Sequence, residues 1–159
     1  MEIYTVSFFG HRRVDNPIEL EEKLKKIVEN LIDSKEYVDF LVGRDGDFDM
    51  VVTSTIKRVK RYMDWGNSSL ILVLPYMTAE YRDNEKSFHD YYDDVEICAE
   101  AAGGHFKAAF QVRNRHMIDR SDLVISYVEH NSGGAYQAKK YAEKSGKEVV
   151  EISMASDLC

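Results

Sequence analysis

The sequence predicts an α/β protein: a Rossmann-like three-layer sandwich on a mainly parallel sheet of five or more strands. Three observations predict it. Short β-rich runs alternate with helical patterns of about 12 to 17 residues, the signature of repeated βαβ crossovers. Leu70–Leu74 (LILVL) is unbroken apolar, as expected of a strand covered by helices on both faces. Glycine-containing loops recur where strands hand over to helices. No linker, low-complexity run or internal repeat interrupts the pattern, so residues 1–159 are expected to form one domain.

Ile3–Phe9 is the first strand. Asn16-Pro17 then opens a helix, Asn suiting the cap and Pro the first turn, with Glu19, Glu21 and Glu22 at the positive end. Leu20, Leu24, Ile27, Val28, Leu31 and Ile32 recur at helical spacing and form its sheet-facing side. Val38–Val42 is the second strand. A helix from about Phe48 to Met63 follows, with Val52, Ile56, Val59 and Met63 on one face, ended by Gly66-Asn67. Pro75 stops the third strand. Residues 76 to 104, rich in Tyr, Asp and Glu, form a less regular excursion with a candidate short strand near Val95–Cys98. A helix from about Phe106 to Asp119, a strand Leu123–Val128, a helix from about Gly134 to Ser145 and a last strand Val149–Ile152 complete the chain. Gly146 stands where a helix C-terminal glycine belongs.

The bulk numbers exclude several classes. The composition, 44% hydrophobic and 31% charged, is that of globular rather than disordered chains. No apolar run approaches the roughly 18 residues of a membrane-spanning helix, and no signal peptide is evident, so a cytoplasmic location is expected. Cys98 and Cys159 share no metal-type spacing and read as free thiols in a reducing compartment. Lys plus Arg total 21 against 28 Asp plus Glu, a formal charge of −7 that repels a polyanion on average. A nucleic-acid partner is therefore not expected. The one basic cluster, Lys57-Arg58-Val59-Lys60-Arg61, reads as a solvated helix face.

In a sheet of this kind, ligands sit at the carboxyl ends of the strands, where strand order reverses. Four loops are candidates. Phe9-Gly10-His11-Arg12-Arg13 follows the first strand, with a glycine permitting a sharp turn and His11 and Arg12 offering donors to an anion; a solvated basic turn is the plain alternative. Gly43-Arg44-Asp45-Gly46-Asp47-Phe48-Asp49 opens the second helix, suiting either a phosphate or an Asp-capped helix start. Its aspartates are not an EF-hand, because the downstream glutamate is missing. Asn131-Ser132-Gly133-Gly134 feeds a helix with unobstructed backbone amides. In the fourth, Phe106, Phe110, Arg113 and Met117 share an apolar stripe, so Arg113 needs a carboxylate or phosphate partner.

Together these segments resemble the SLOG superfamily of Rossmann-like proteins, and within it small bacterial domains with FxGHR-type motifs. The matching residues are Phe9-Gly10-His11-Arg12, Gly43 with Gly46 and Asp49 (approximately GGxxGxD), Arg113-Asn114-Arg115 with Met117, and Ser132-Gly133-Gly134. The resemblance implies a nucleotide-derived, phosphate-bearing small molecule, such as ADP-ribose or a nucleoside phosphate, bound as by a sensor or carrier. It fixes no other cofactor and no metal, and its relatives tend to form homodimers. The expected ligand contacts are Gly10, His11, Arg12, Gly43, Arg44, Gly46, Asp49, Arg113, Asn114, Ser132, Gly133 and Gly134. Arg44 departs from the pattern, placing a cation where a second glycine is usual. The chain is also distantly similar to Lonely Guy phosphoribohydrolases. Tyr136 and Gln137 replace their Gly-Thr pair, and Lys140 replaces their catalytic glutamate, so that activity is not carried over. An alternative is a hydrolase of N-glycosidic or phosphate-ester bonds using Asp49 and His11 with Asp90, Asp93, Asp94 and Glu96. DNA handling, as in the superfamily's competence-related branch, conflicts with the −7 charge.

Overall fold

The computed structural model describes residues 1–63, 65–101 and 105–154. In chain order the elements are β1 (Ile3–Gly10), α1 (Pro17–Ser34), β2 (Tyr37–Val42), α2 (Asp47–Met63), β3 (Ser68–Leu74), α3 (Ala79–Asp83), α4 (Glu85–Tyr91), β4 (Asp94–Ile97), α5 (Phe106–Asp119), β5 (Leu123–Tyr127), α6 (Gly134–Lys144) and β6 (Glu148–Glu151). The strands form one sheet of order β4-β3-β2-β1-β5-β6. Every pairing is parallel, with Val6 opposite both Phe40 and Leu123. The expected Rossmann-like class is the observed one.

Alternation along the strands sends successive side chains to opposite layers. Val6 and Phe8, with Phe40, Leu72 and Ile125, meet Leu24 and Val28 of α1 and Val52 and Ile56 of α2 in the larger core. Phe9, Leu41, Val73 and Val124 face the other way, onto Met117 and Ile118 of α5 and Ala138 and Ala142 of α6. Small alanines there let α6 lie close to the sheet. The Asn16 side chain caps α1 by accepting from the Glu19 amide, with Pro17 beside it. Gly146 takes a positive φ of 76° after α6.

The acidic excursion resolves into α3, α4 and the edge strand β4. The Asp93 carboxylate accepts from the Leu70 amide at 2.7 Å, fastening the start of β4 to β3. The basic cluster on α2 departs from expectation. Lys57 donates to the Tyr91 carbonyl at 2.7 Å, and Lys60 donates to the Ser68 carbonyl at 2.7 Å. Arg58 pairs with Glu21 of α1. These cations are half-buried ties between elements, except at Arg58 and Arg61, which stay exposed. Cys98 is a buried free thiol; Cys159 lies outside the described residues. Among the described residues, no helix is long and apolar enough to cross a membrane.

Candidate functional site

The order reverses between β1 and β5: the connection after β1 runs to β2 on one side of the sheet, and the connection after β5 runs to β6 on the other. At their carboxyl ends lies a crevice of about 560 Å3. Its walls bring together Gly10, His11, Arg12, Gly43, Gly46, Asp49, Arg113, Asn114, Ser132, Gly133 and Gly134. The two glycine turns therefore face one another across a common opening. Arg44 is not among the lining residues. Its guanidinium instead pairs with Glu80 of α3 at 2.9 Å, donates to the Tyr92 hydroxyl at 3.0 Å and lies over the Phe88 ring. Arg44 is thus a clasp holding the α3–α4 excursion, a role its position one residue beyond Gly43 did not reveal. Arg13, Asp45, Phe110, Met117 and His130 also line the crevice. His130 was the least legible, although its loop after β5 is one that the switch-point rule selects.

The glycines serve a different purpose from the one expected. A Cβ on Gly10 would stand 2.2 Å from Cγ of Phe48, so the ring of α2's second residue fills the space of the missing side chain. On Gly46 it would stand 2.5 Å from the Arg12 Cα, because the two loops touch backbone to backbone. The amides at the start of α2 are also engaged. Asp47 donates its N–H to the Arg12 carbonyl at 2.7 Å, and Asp45 donates its own to the Asp49 carboxylate at 2.9 Å. Neither Asp47 nor Asp49 caps the helix with its side chain: the Asp47 carboxylate accepts from the Val14 amide at 3.1 Å and that of Asp49 from the Asp45 amide, so the loop is tied to the β1 loop and to itself. The turn before α6 differs. Gly133 has a φ of 92°, no side chain caps the helix, and a Cβ on Gly133 or Gly134 would meet nothing within 4 Å. Gly133 needs its freedom because L side chains rarely adopt that φ.

Arg113 is 2% exposed, and of its two readings the structural ion pair is the one formed. It donates to the Asp45 carboxylate at 2.5 Å, the Val73 carbonyl at 3.1 Å and the Asn114 side chain at 2.9 Å. Arg12 and Arg13 are exposed and make no ion pair among the described residues, so they carry the crevice's uncompensated positive charge. The His11 Nε2 accepts from the Glu129 amide at 2.6 Å, which places its ring proton on Nδ1, and its ring lies 4.4 Å from that of His130. Burial and the neighbouring His130 hold the His11 pKa below its ordinary value.

Burial pushes the Asp49 carboxyl up to about 6; Asp45 adds to the rise, while the Asp45 amide and Arg113 oppose it. The folded value exceeds the unfolded one. Stability from this group is therefore full below about pH 4 and is lost as the pH rises through about 6. Asp49→Asn keeps an acceptor for the Asp45 amide and removes the buried charge. It is expected to raise stability near neutral pH by roughly 1–2 kcal/mol and to flatten the pH 4–6 slope. Urea unfolding at a series of pH values checks this; an unchanged slope in the variant would refute it.

Of the alternative hydrolytic set, Asp49 and His11 line the crevice, but the carboxylates of the excursion do not join them. Asp90 pairs with Lys86, Asp93 lies near Lys60 at 3.4 Å and Glu96 pairs with Arg120, all outside the crevice. Asp94 binds the amide of its own neighbour Val95.

No protein-family model matches the sequence, and no curated protein does. Solved structures do. DNA processing protein A from Streptococcus pneumoniae superposes with a TM-score of 0.69 at 17% identity, over 96% of this chain and 51% of that one. The chain shares its fold. DNA processing protein A from Helicobacter pylori, described for its single-stranded DNA binding mode, superposes with a TM-score of 0.63 at 16% identity, over 95% of this chain and 66% of that one. The chain thus spans about half the length of the first. The likeness agrees with the SLOG resemblance at the level of the Rossmann-like fold. It also overturns the expectation of a small nucleotide-derived ligand, bound or hydrolysed, with nucleic acid excluded. DNA-processing proteins, one of them a single-strand binder, are built on this same scaffold. Net charge excludes no such partner, because it is a whole-surface average, whereas a strand meets only the local field. Much of the acidity lies on α1 and the excursion, while Arg12 and Arg13 stand at the crevice.

Proposed function

We propose that this chain binds single-stranded DNA at the β1–β5 crevice. The observation that carries the reading is the pairing of two unneutralised arginines, Arg12 and Arg13, with the uncapped N-terminus of α6 across one opening. Backbone amides at a helix start and adjacent guanidinium groups are a general device for holding phosphate oxygens. The likeness to DNA processing protein A, whose Helicobacter pylori form is described as binding single strands, supports DNA as the source of those phosphates. In this reading Gly10, His11, Gly43, Gly46, Asp49, Arg113, Asn114 and Ser132 shape the crevice rather than neutralise the strand. The whole chain acts as one SLOG-like unit of the FxGHR type, Arg12 being that motif's arginine.

Phosphate recognition of this kind depends on salt. Binding of a labelled oligonucleotide, followed by fluorescence anisotropy, is expected to weaken with salt along a log–log slope of about −0.7 per neutralised phosphate. Replacing Arg12 and Arg13 by alanine should flatten that slope by about 0.7 for each residue that contacts a phosphate. Both arginines are exposed, so melting should not change. Absence of single-strand binding at about 50 mM salt would refute the reading.

A further inference from the structure

Beside the crevice is an aromatic cluster that stands outside the two large cores. Phe106, the first residue of α5, is 63% exposed. Its ring centroid lies 5.3 Å from that of Tyr76 and 5.7 Å from that of Phe110, and Tyr76 meets Phe110 edge-on at 6.0 Å. Tyr76 is held from behind, packed against the small cluster of Cys98, Ala101 and Ala109. Phe110 belongs to both places: it joins the aromatic cluster and lines the crevice, with the Arg113 guanidinium 5.4 Å from its ring.

Resting on the functional reading above, we propose that Tyr76, Phe106 and Phe110 form a stacking platform for bases of the strand as it leaves the crevice. Helices of a parallel sheet run against the strands, so the start of α5 and the end of β3 lie at the same end as the crevice. The apolar stripe Phe106–Phe110–Arg113–Met117 explains the placement. Arg113 and Met117 are buried over the sheet, and the stripe continues past the sheet's end, carrying Phe106 into solvent. A ring that served only the core would not remain mostly exposed. The continuity through Phe110 selects the occupant. A chain whose phosphates rest at Arg12 and the α6 turn carries, within one nucleotide's reach, planar bases that need apolar faces. Aromatic rings meet that need with little regard to base identity, and duplex DNA cannot use them because its bases are already stacked.

The test compares anisotropy-measured binding of a single-stranded oligonucleotide with binding of an abasic sugar–phosphate strand of equal length. Wild type is expected to prefer the base-bearing strand. Phe106→Ala should weaken that binding roughly tenfold and leave the abasic strand unaffected. Phe106→Trp should retain the preference, whereas Phe106→Leu, apolar but not aromatic, should lose it. A 2-aminopurine placed in the oligonucleotide should be quenched by wild type and not by Phe106→Ala. The exposure of Phe106 makes folding of these variants checkable by an unchanged melting curve. The platform is overturned if Phe106→Ala binds the base-bearing strand like wild type, or loses both strands equally. It is also overturned if sedimentation shows a dimer that Phe106→Ala abolishes, since a second copy would then cover the patch. Failure of wild type to bind either strand would remove the functional reading, and the platform with it.

Discussion

Gly10→Ala is expected to destabilise the protein by roughly 2–3 kcal/mol, a loss that a second substitution at Phe48 should partly relieve. The added methyl would stand 2.2 to 2.5 Å from three atoms of the Phe48 ring. Phe48 cannot yield easily: it is fully buried and stacks on Tyr127 with centroids 6.0 Å apart. Phe48→Ala alone should cost roughly 3–5 kcal/mol through the cavity it leaves. In the double variant the alanine at position 10 occupies part of that cavity. The two losses should therefore sum to less than their parts, by about 1 kcal/mol or more. Urea unfolding of the four proteins measures the cycle. Strict additivity would mean that the ring does not confine Gly10, and the glycine would have to be explained by something bound in the crevice.

Arg113→Met is expected to cost about 2–4 kcal/mol, at the low end of values for a broken buried pair because Asp45 is partly exposed. Methionine fills a similar volume, so the loss is electrostatic and polar rather than a cavity. Three acceptors lose their donor at once: the Asp45 carboxylate, the Val73 carbonyl and the Asn114 side chain. Arg113→Lys should rescue little, because one ammonium group cannot meet three acceptors arranged around a planar fork. With Arg113 gone, Asp45 and Asp49 also face each other without a counter-charge. Adding Asp45→Asn to Arg113→Met should recover part of the lost stability near neutral pH and less near pH 4, where burial keeps Asp49 protonated and the repulsion is absent. Thermal melts at both pH values decide it. Recovery that is equal at the two values would show that the carboxylates are not what Arg113 neutralises.

Both expectations bear on what can be read from sequence. The elements were legible because each carries a local signal: the Asn16-Pro17 cap, the Leu20–Ile32 periodicity, the glycine at 146. Strand ends shifted by one or two residues, as at Ser68–Leu74 and Glu148–Glu151, because pairing with the neighbouring strand sets them and not composition. The crevice was legible in outline, since the switch-point rule depends only on strand order, and order follows from right-handed crossovers. Arg44 was misread because its partner Glu80 is 36 positions away, and nothing in the local loop signals that distance. Lys57 and Lys60 were misread for the same reason, as their acceptors are backbone carbonyls of other elements.

Composition counts charges without locating them, and whether a polyanion is repelled depends on which few cations remain unpaired at the opening. Neutralising Arg113 with Asp45 while leaving Arg12 and Arg13 free is a spatial decision.

By itself, the sequence determined the layering of this protein, the parallel sheet and the loops that converge at its carboxyl end, because periodicity and turn chemistry act over a few residues. Only the tertiary structure decided which of the convergent side chains are consumed by one another and which face solvent. Gly10 makes room for Phe48, Arg113 is committed to Asp45, and Phe106 is left uncovered. Those outcomes depend on contacts between distant segments, where close packing and paired charges admit one partner and exclude the rest.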